Sequence, residues 1–230
     1  MAISDVLLTK GYYVGRIEEL VDDISEFELI CNRSIYLAEL NKHIYFKWRL
    51  TSGSGIYYNK IHVDFDQVIN AKQYLKEQNI QCSQHWWETI DVDDEIVTMY
   101  RYFNQQMAKL AKNIYPELTD DNITQTNNFS LYENGDFIER HRDGRNPGRL
   151  CGVLIYLSAA DEYNDGGGKL ILDDDKIKET ILPLRGNFVL LDFSKHDIYH
   201  TVEPVRNNFK RHSYISFITN KDKLNEHSNN

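Results

Sequence analysis

Cysteine is scarce in this sequence, and what there is of it is scattered. Cys31, Cys82 and Cys151 are the three in 230 residues. Odd in number and far apart, they form neither a disulfide framework nor a metal-ligand spacing. A reducing, cytoplasmic compartment is therefore expected. No apolar run approaches the roughly 18 residues of a membrane span. The opening MAISDVLLTKGYY has no long apolar stretch, so no secretory leader is expected there. Internal repeats and low-complexity blocks are absent. Positive charge is in deficit, with 26 Lys and Arg against 35 Asp and Glu and a net charge of −9. That balance disfavours a nucleic-acid backbone as main partner, though it leaves room for a local basic patch.

What is present suits a sizeable, β-rich core. Hydrophobic residues make up 41% and aromatic residues 12%, with 15 Tyr and 10 Phe. The length fits one domain, read as a catalytic unit over 1–220 with a polar, frayed tail over 221–230. Within it, 1–121 supports and 122–220 forms the core. Tyr12-Tyr13-Val14 reads as a short strand. Ile17, Leu20, Val21 and Ile24 follow helical spacing. The aromatic-rich stretch Ser34–Leu50 suggests a hairpin, and Thr51–Gly55 a loop. Ile56–Phe65 reads as a strand, Asp66–Gln78 as an amphipathic helix, and Trp86-Trp87 as core. The strongest helix follows, with Ile96, Met99, Tyr100, Phe103, Met107, Leu110, Ala111 and Ile114 on one face. Pro116 stops it.

From Asn122 the pattern changes to short strands separated by Gly and Asx turns. These are Ile123–Tyr132, the run into His141, Cys151–Leu157, Lys169–Leu172, Ile177–Leu184, Asn187–Phe193 and Arg211–Thr219. Gly144–Arg149 reads as a basic loop and Asp173-Asp174-Asp175 as an acidic turn. Such a series means a sandwich or a barrel.

Chemistry concentrates in the same stretch. His141-Arg142-Asp143 lies on or just beyond a strand, so the period of two points His141 and Asp143 the same way. Two imidazoles and a carboxylate on one face of a metal are the ligand set of non-haem Fe(II) oxygenases. His200 is the candidate for the second imidazole. His196 sits in a loop-like SKHD, and His212 has the wrong parity relative to Arg211. Arg211, Ser213, Ile215 and Phe217 share one face of the last strand. An Arg on an apolar face is costly unless it meets an anion, and a bidentate carboxylate is the usual remedy. Lys210 is the alternative partner for such an anion. Arg142, Arg145 and Arg149 cluster beside the ligands; Arg149, bordering the buried strand, is the candidate to meet a substrate. A competing His62-Val63-Asp64 lacks the downstream Gly-rich segment, His and Arg-x-Ser at suitable distances.

On these residues the stretch from about 123 to 220 resembles the 2-oxoglutarate- and Fe(II)-dependent dioxygenase superfamily, most of all its prolyl 4-hydroxylase branch. The matching positions are Tyr132 with Gly135, His141, Asp143, Tyr156, the GGGKL segment at 166–170, His200, Arg211 and Ser213. The resemblance implies a double-stranded β-helix, or jelly roll, in an α+β, β-rich fold braced by N-terminal helices. It implies Fe(II) held by His141, Asp143 and His200. It places 2-oxoglutarate at Arg211, with Tyr156, Ser213 and Tyr132 around it, dioxygen as second co-substrate and ascorbate as reductant. The implied reaction hydroxylates an unactivated C–H bond, a prolyl residue of a protein or peptide first, and releases succinate and carbon dioxide. Free amino acids or other small molecules are the rival substrates. The nucleic-acid demethylase branch carries a second Arg six residues on, where this chain has Phe217. A jelly roll that only binds, or one using another metal, are the readings of a different class.

Overall fold

The architecture follows from strands that are apolar on both sides. The computed structural model describes residues 2–40, 46–50, 82–87, 94–143, 148–174, 177–196 and 198–228. The strands are β1 (Tyr12–Arg16), β2 (Phe46–Leu50), β3 (Cys82–Trp87), β4 (Ile123–Tyr132), β5 (Phe137–His141), β6 (Arg149–Tyr156), β7 (Leu170–Asp174), β8 (Ile177–Ile181), β9 (Asn187–Asp192), β10 (His200–Val202) and β11 (Arg211–Asn220). They join in one sheet in the order β1-β9-β6-β11-β4-β3-β5-β10-β7-β8, with β2 also on β3. The pairings are antiparallel.

The sheet folds over at β3. That strand pairs with β4 through His85–Trp87 and with β5 through Cys82 and Ser83. The two halves then face each other across a common core. Tyr132, Tyr156, Val189 and Leu191 from one half pack with Ile138, Leu170, Leu172, Ile181 and Val202 from the other. At the open edges Tyr12 of β1 comes next to Glu179 of β8; burial, and then that charge, raise the Tyr12 hydroxyl. This is the expected jelly roll. Because the period is two, alternate residues of the larger half face outward, where Phe129, Leu131, Val153, Ile155, Phe188, Leu190, Tyr214 and Ile218 form a second core with the helices.

Those helices are α1 (Ile3–Lys10), α2 (Ile24–Leu40), α3 (Asp94–Ile114) and the C-terminal α4 (Lys221–Ser228). None among the described residues is long and apolar enough to cross a membrane. α3 is the helix read from the sequence. Its Met99, Phe103, Met107, Leu110, Ala111 and Ile114 are buried. Phe103 stacks on Tyr214 of β11 at 4.6 Å and meets Phe129 of β4 edge-on at 5.8 Å.

Three expectations fail for identifiable reasons. The helix read at Ile17–Ile24 is one 3-10 turn over Ile17–Glu19, followed by a new helix. Asp23 caps that helix by accepting from the backbone N–H of Ser25 and Glu26 at 2.8 and 3.0 Å. The hairpin read over Ser34–Leu50 is wrong, because α2 continues to Leu40 and Phe46–Leu50 is a single strand paired with β3. The helical period begins earlier, at Phe27, Cys31, Ser34 and Leu37, all buried. Residues 221–228, read as a frayed tail, form α4. Its first turn is tied by polar contacts that no hydrophobic pattern announces: Lys221 N to Asn122 O at 2.7 Å and Asn122 Nδ2 to Asp222 at 3.0 Å.

Smaller differences are that Asp173 and Asp174 lie in β7, Arg149 opens β6, and β8 ends at Ile181. Helix α1, which the sequence reading did not anticipate, ends at Gly11, whose φ of +83° and N–H bond to Leu7 O make a left-handed cap. The readings over 51–55, 56–65 and 66–78, together with the loop 144–147, lie outside the described residues.

α2 is fastened to the jelly roll by charge. Arg185 bonds Glu28 at 2.6 Å and Asn32 at 2.7 Å. Glu39 bonds Lys210 at 2.7 Å and lies 3.6 Å from His212 Nε2. The His212 side chain, against the opposing effect of burial and with help from Lys210, holds the Glu39 carboxyl down to about 2 from its ordinary 4.5. A carboxyl depressed on folding stabilises above its unfolded pKa, and that contribution is lost as pH falls through the folded value. Wild-type protein should therefore lose stability between pH 4.5 and 2 more steeply than Glu39→Gln, as read from urea midpoints against pH. Phe103→Ala should cost about 3–5 kcal/mol in the same assay at neutral pH.

Candidate active site

The barrel interior carries two groups of polar side chains. The first lies on the smaller half. His141 ends β5, and His200 opens β10 directly opposite it in register. Asp143 stands two residues beyond His141, on the same side. One ligand atom from each of the three lies within 4.8 Å of the others. Asp143 Oδ1 is 3.6 Å from His141 Nε2, and Oδ2 is 3.5 Å from His200 Nε2. The imidazole rings are 4.2 Å apart, tilted by 55°.

Both rings are anchored from behind. His141 Nδ1 bonds the Glu139 carbonyl at 2.8 Å, and His200 Nδ1 bonds the Ile198 carbonyl at 3.1 Å. A carbonyl only accepts, so Nδ1 carries the proton and Nε2 presents its lone pair inward. Burial, with His141 beside it, pushes the His200 imidazole down to about 4, against the pull of Asp143 and the Ile198 carbonyl. Burial alone would raise the Asp143 carboxyl. His200, His141 and Arg149 outweigh it and hold that carboxyl well below the usual range. Two imidazoles and one carboxylate, converging on one point, fit a divalent metal such as Fe(II).

The second group lies on the larger half, around Arg211. Its register partner on β4 is Tyr132, and Ser213 pairs with Ser130 on β4 and Tyr156 on β6. Arg211 is 1% exposed. Nε donates to the Gly168 carbonyl at 2.9 Å and Nη1 to Ser213 Oγ at 3.3 Å. Ser213 Oγ also bonds Ser130 Oγ at 2.7 Å. The guanidinium carbon lies 4.7 Å from the Tyr132 ring centre and 5.1 Å from that of Tyr156. Burial raises the Tyr156 hydroxyl and Arg211 opposes the shift. That hydroxyl is buried without a hydrogen-bond partner. Among the described residues no carboxylate pairs with Arg211. A buried cation and an unpartnered buried hydroxyl are together the groups that could seat a carboxylate.

The alternatives raised by the sequence are placed elsewhere. His196 lies by α1, its Nε2 3.3 Å from the Leu8 carbonyl. Lys210 and His212 turn to Glu39 on the helix side. Arg142 lies with Arg140 over the Tyr199 ring, at 3.8 and 3.6 Å. Arg149 comes to the His141–Asp143–His200 cluster: Nη1 bonds the Asp143 carbonyl at 3.1 Å, and its guanidinium lies 4.5 Å from the Phe217 ring. Phe217 packs on Phe193 at 6.1 Å. His62, Asp64 and Arg145 lie outside the described residues.

Two contributors were missed. Ser130 had only its inward parity to show. Gly168 was quoted within a Gly run, but not as the acceptor for Arg211. With φ at +65°, an added Cβ there would meet Arg211 Cδ and Val205 Cγ2, each at 3.0 Å. Gly168→Ala should therefore destabilise the fold by roughly 1–3 kcal/mol, measured as a shift in denaturant midpoint.

Comparison with known proteins adds the following. Residues 127–219 match the sequence profile of the 2OG-Fe(II) oxygenase superfamily. No curated protein matches the chain. Among solved structures, a prolyl hydroxylase from Trichoplax adhaerens, in complex with a peptide fragment of the hypoxia inducible factor oxygen degradation domain, is 17% identical. Its TM-score is 0.66, covering 97% of this chain and 90% of that one. A Pseudomonas putida prolyl-4-hydroxylase is 14% identical with a TM-score of 0.59, covering 95% and 97%. The non-heme alpha ketoglutarate dependent epimerase SnoN from nogalamycin biosynthesis is 13% identical with a TM-score of 0.57, covering 95% and 81%.

Proposed function

We propose that this chain, whose residues 127–219 match the 2OG-Fe(II) oxygenase superfamily, is an oxygenase of that superfamily and hydroxylates a prolyl residue of a protein or peptide. The observation that carries the co-substrate part is the Arg211 guanidinium, buried with no carboxylate partner among the described residues and faced by the unpartnered Tyr156 hydroxyl. The prolyl part draws on likeness of fold to two prolyl hydroxylases, one of them solved with a peptide.

In this reading His141, Asp143 and His200 would hold Fe(II), and Arg211, Tyr156, Ser213 and Tyr132 would seat 2-oxoglutarate. Bound there, the metal and 2-oxoglutarate, with dioxygen as the oxidant, would supply the chemistry that replaces an unactivated C–H bond by C–OH, one oxygen atom going to the product and the other to succinate as carbon dioxide leaves. The chain's own contribution is positional. The carbonyls of Glu139 and Ile198 fix the two rings, which costs no reorganisation when a metal arrives. The Gly168 carbonyl and Ser213 aim the guanidinium. Burial around Arg211 keeps water from competing for its charge. Arg149 lies beside Asp143, with Phe217 against its guanidinium, and would meet the substrate. Ascorbate as reductant and a reducing, cytoplasmic setting belong to the same proposal, consistent with Cys31 and Cys151 as buried free thiols.

A second reading has a specific observation behind it. The similar fold of SnoN belongs to an epimerase of nogalamycin biosynthesis, and a fold does not choose its substrate. A free amino acid or another small molecule is that alternative.

Succinate release from 2-oxoglutarate with Fe(II) should rise when proline-rich peptides are added, with hydroxyproline detected in them by mass spectrometry. Turnover of a free amino acid with no peptide oxidised would reject the prolyl substrate. His141→Ala and Asp143→Ala should abolish succinate release while leaving the fold intact by circular dichroism. Arg211→Ala should raise the 2-oxoglutarate requirement roughly ten- to a hundredfold, as expected for a lost charged hydrogen-bonded pair. An unchanged requirement in that variant, with a rise in Lys210→Ala, would move the anion site to Lys210.

A further inference from the structure

Arg211 is the first residue of β11, and residues 203–204 and 206–210 before it lie outside any strand. Strand ends fray unless something holds them. A guanidinium that must meet a carboxylate squarely tolerates little of that motion, since the bidentate geometry is directional.

Two side chains grip the residues on either side of it. Ser158, fully buried just after β6, donates its hydroxyl to the Lys210 carbonyl at 2.7 Å. The same oxygen accepts from the His212 backbone N–H at 2.8 Å. One hydroxyl thus spans Arg211 along the chain, using its donor and an acceptor pair on the two flanking peptides. From the opposite face Glu39 of α2 bonds the Lys210 ammonium at 2.7 Å and comes within 3.6 Å of His212 Nε2. Alternation explains the geometry. Lys210 and His212 must point away from the side that Arg211 occupies, so a helix carboxylate can hold both without entering the site. The Leu157 N–H adds a bond to the His212 carbonyl at 3.0 Å.

We propose that Glu39 and Ser158 are positioning residues for Arg211, and that through it they set the affinity of the site for the far carboxylate of 2-oxoglutarate. This rests on the oxygenase reading above. It gives α2 a role in co-substrate binding although none of its described side chains belongs to the site itself. The charge on Glu39 is well suited to that role, because His212 and Lys210 keep it ionised far below neutral pH.

The test compares two keto acids on anaerobic, Fe(II)-loaded protein by calorimetry: 2-oxoglutarate, and 2-oxobutanoate, which has the same chelating end but no far carboxylate. Glu39→Gln should weaken 2-oxoglutarate roughly five- to twentyfold, the scale of one compromised charged contact. It should leave 2-oxobutanoate and Fe(II) affinity within about twofold. Glu39→Asp should recover part of the loss. Ser158→Ala should act in the same direction, with the discrimination between the two keto acids reduced. Equal weakening of both keto acids, or a lower melting temperature with 2-oxoglutarate affinity unchanged, would overturn the proposal and leave the pair as plain structural contacts. If the wild-type protein bound neither keto acid, the oxygenase reading would fall and the proposal with it, an outcome separable from the first two by the wild-type titration alone.

Discussion

The structure turns on the period of two along β11. This strand lies between β4 and β6, paired with both for most of its length, and is covered by the barrel core on one face and the helices on the other. Every residue on it is committed to one of two interiors. Arg211, Ser213 and Phe217 enter the barrel; His212, Tyr214 and Ile218 enter the helix layer. A slip of one residue would exchange the two sets. It would bury Tyr214 in the barrel and take the guanidinium out of it to the helix side. The long pairing with β4, from Arg211 opposite Tyr132 to Asn220 opposite Ile123, excludes that slip.

The two polar groups inside the barrel are stabilised in different ways. The His141–Asp143–His200 cluster is held by backbone carbonyls behind each ring, so its geometry is set by the strands that carry it. Arg211 is held by a carbonyl from the glycine segment and by a serine pair from the neighbouring strand. The first arrangement presents lone pairs and a negative charge to a cation. The second presents positive charge and a hydroxyl to an anion. A molecule with a chelating end and a distant carboxylate satisfies both, which is why the buried charge and the ligand set belong to one explanation.

The brace is electrostatic as well as hydrophobic. α3 covers the larger half of the sheet through its aromatic stripe, whereas α2 is fastened by Arg185 and Glu39 at two points along its length. The second of those points lies at the root of the Arg211 strand. α2 thus reaches the start of the strand that carries Arg211 from the helix side.

Much of this was legible in the residues. His-x-Asp on a strand, a later His and an inward Arg-x-Ser carry their chemistry in spacing alone, because strand parity is local. The bounds of β4 and the stripe of α3 were readable for the same reason: periodicity over ten or twenty residues is a property of the segment. What the sequence determined by itself was thus which side chains share a face, and hence which could meet a metal or an anion. It could not determine what lies across from them. The polar staples of α4, the Gly168 carbonyl beneath Arg211 and the grip of Glu39 on Lys210 all join residues distant in the chain. Such contacts have no period. They exist only once the sheet has folded over at β3 and brought its two halves, and the helices behind them, to hydrogen-bonding distance.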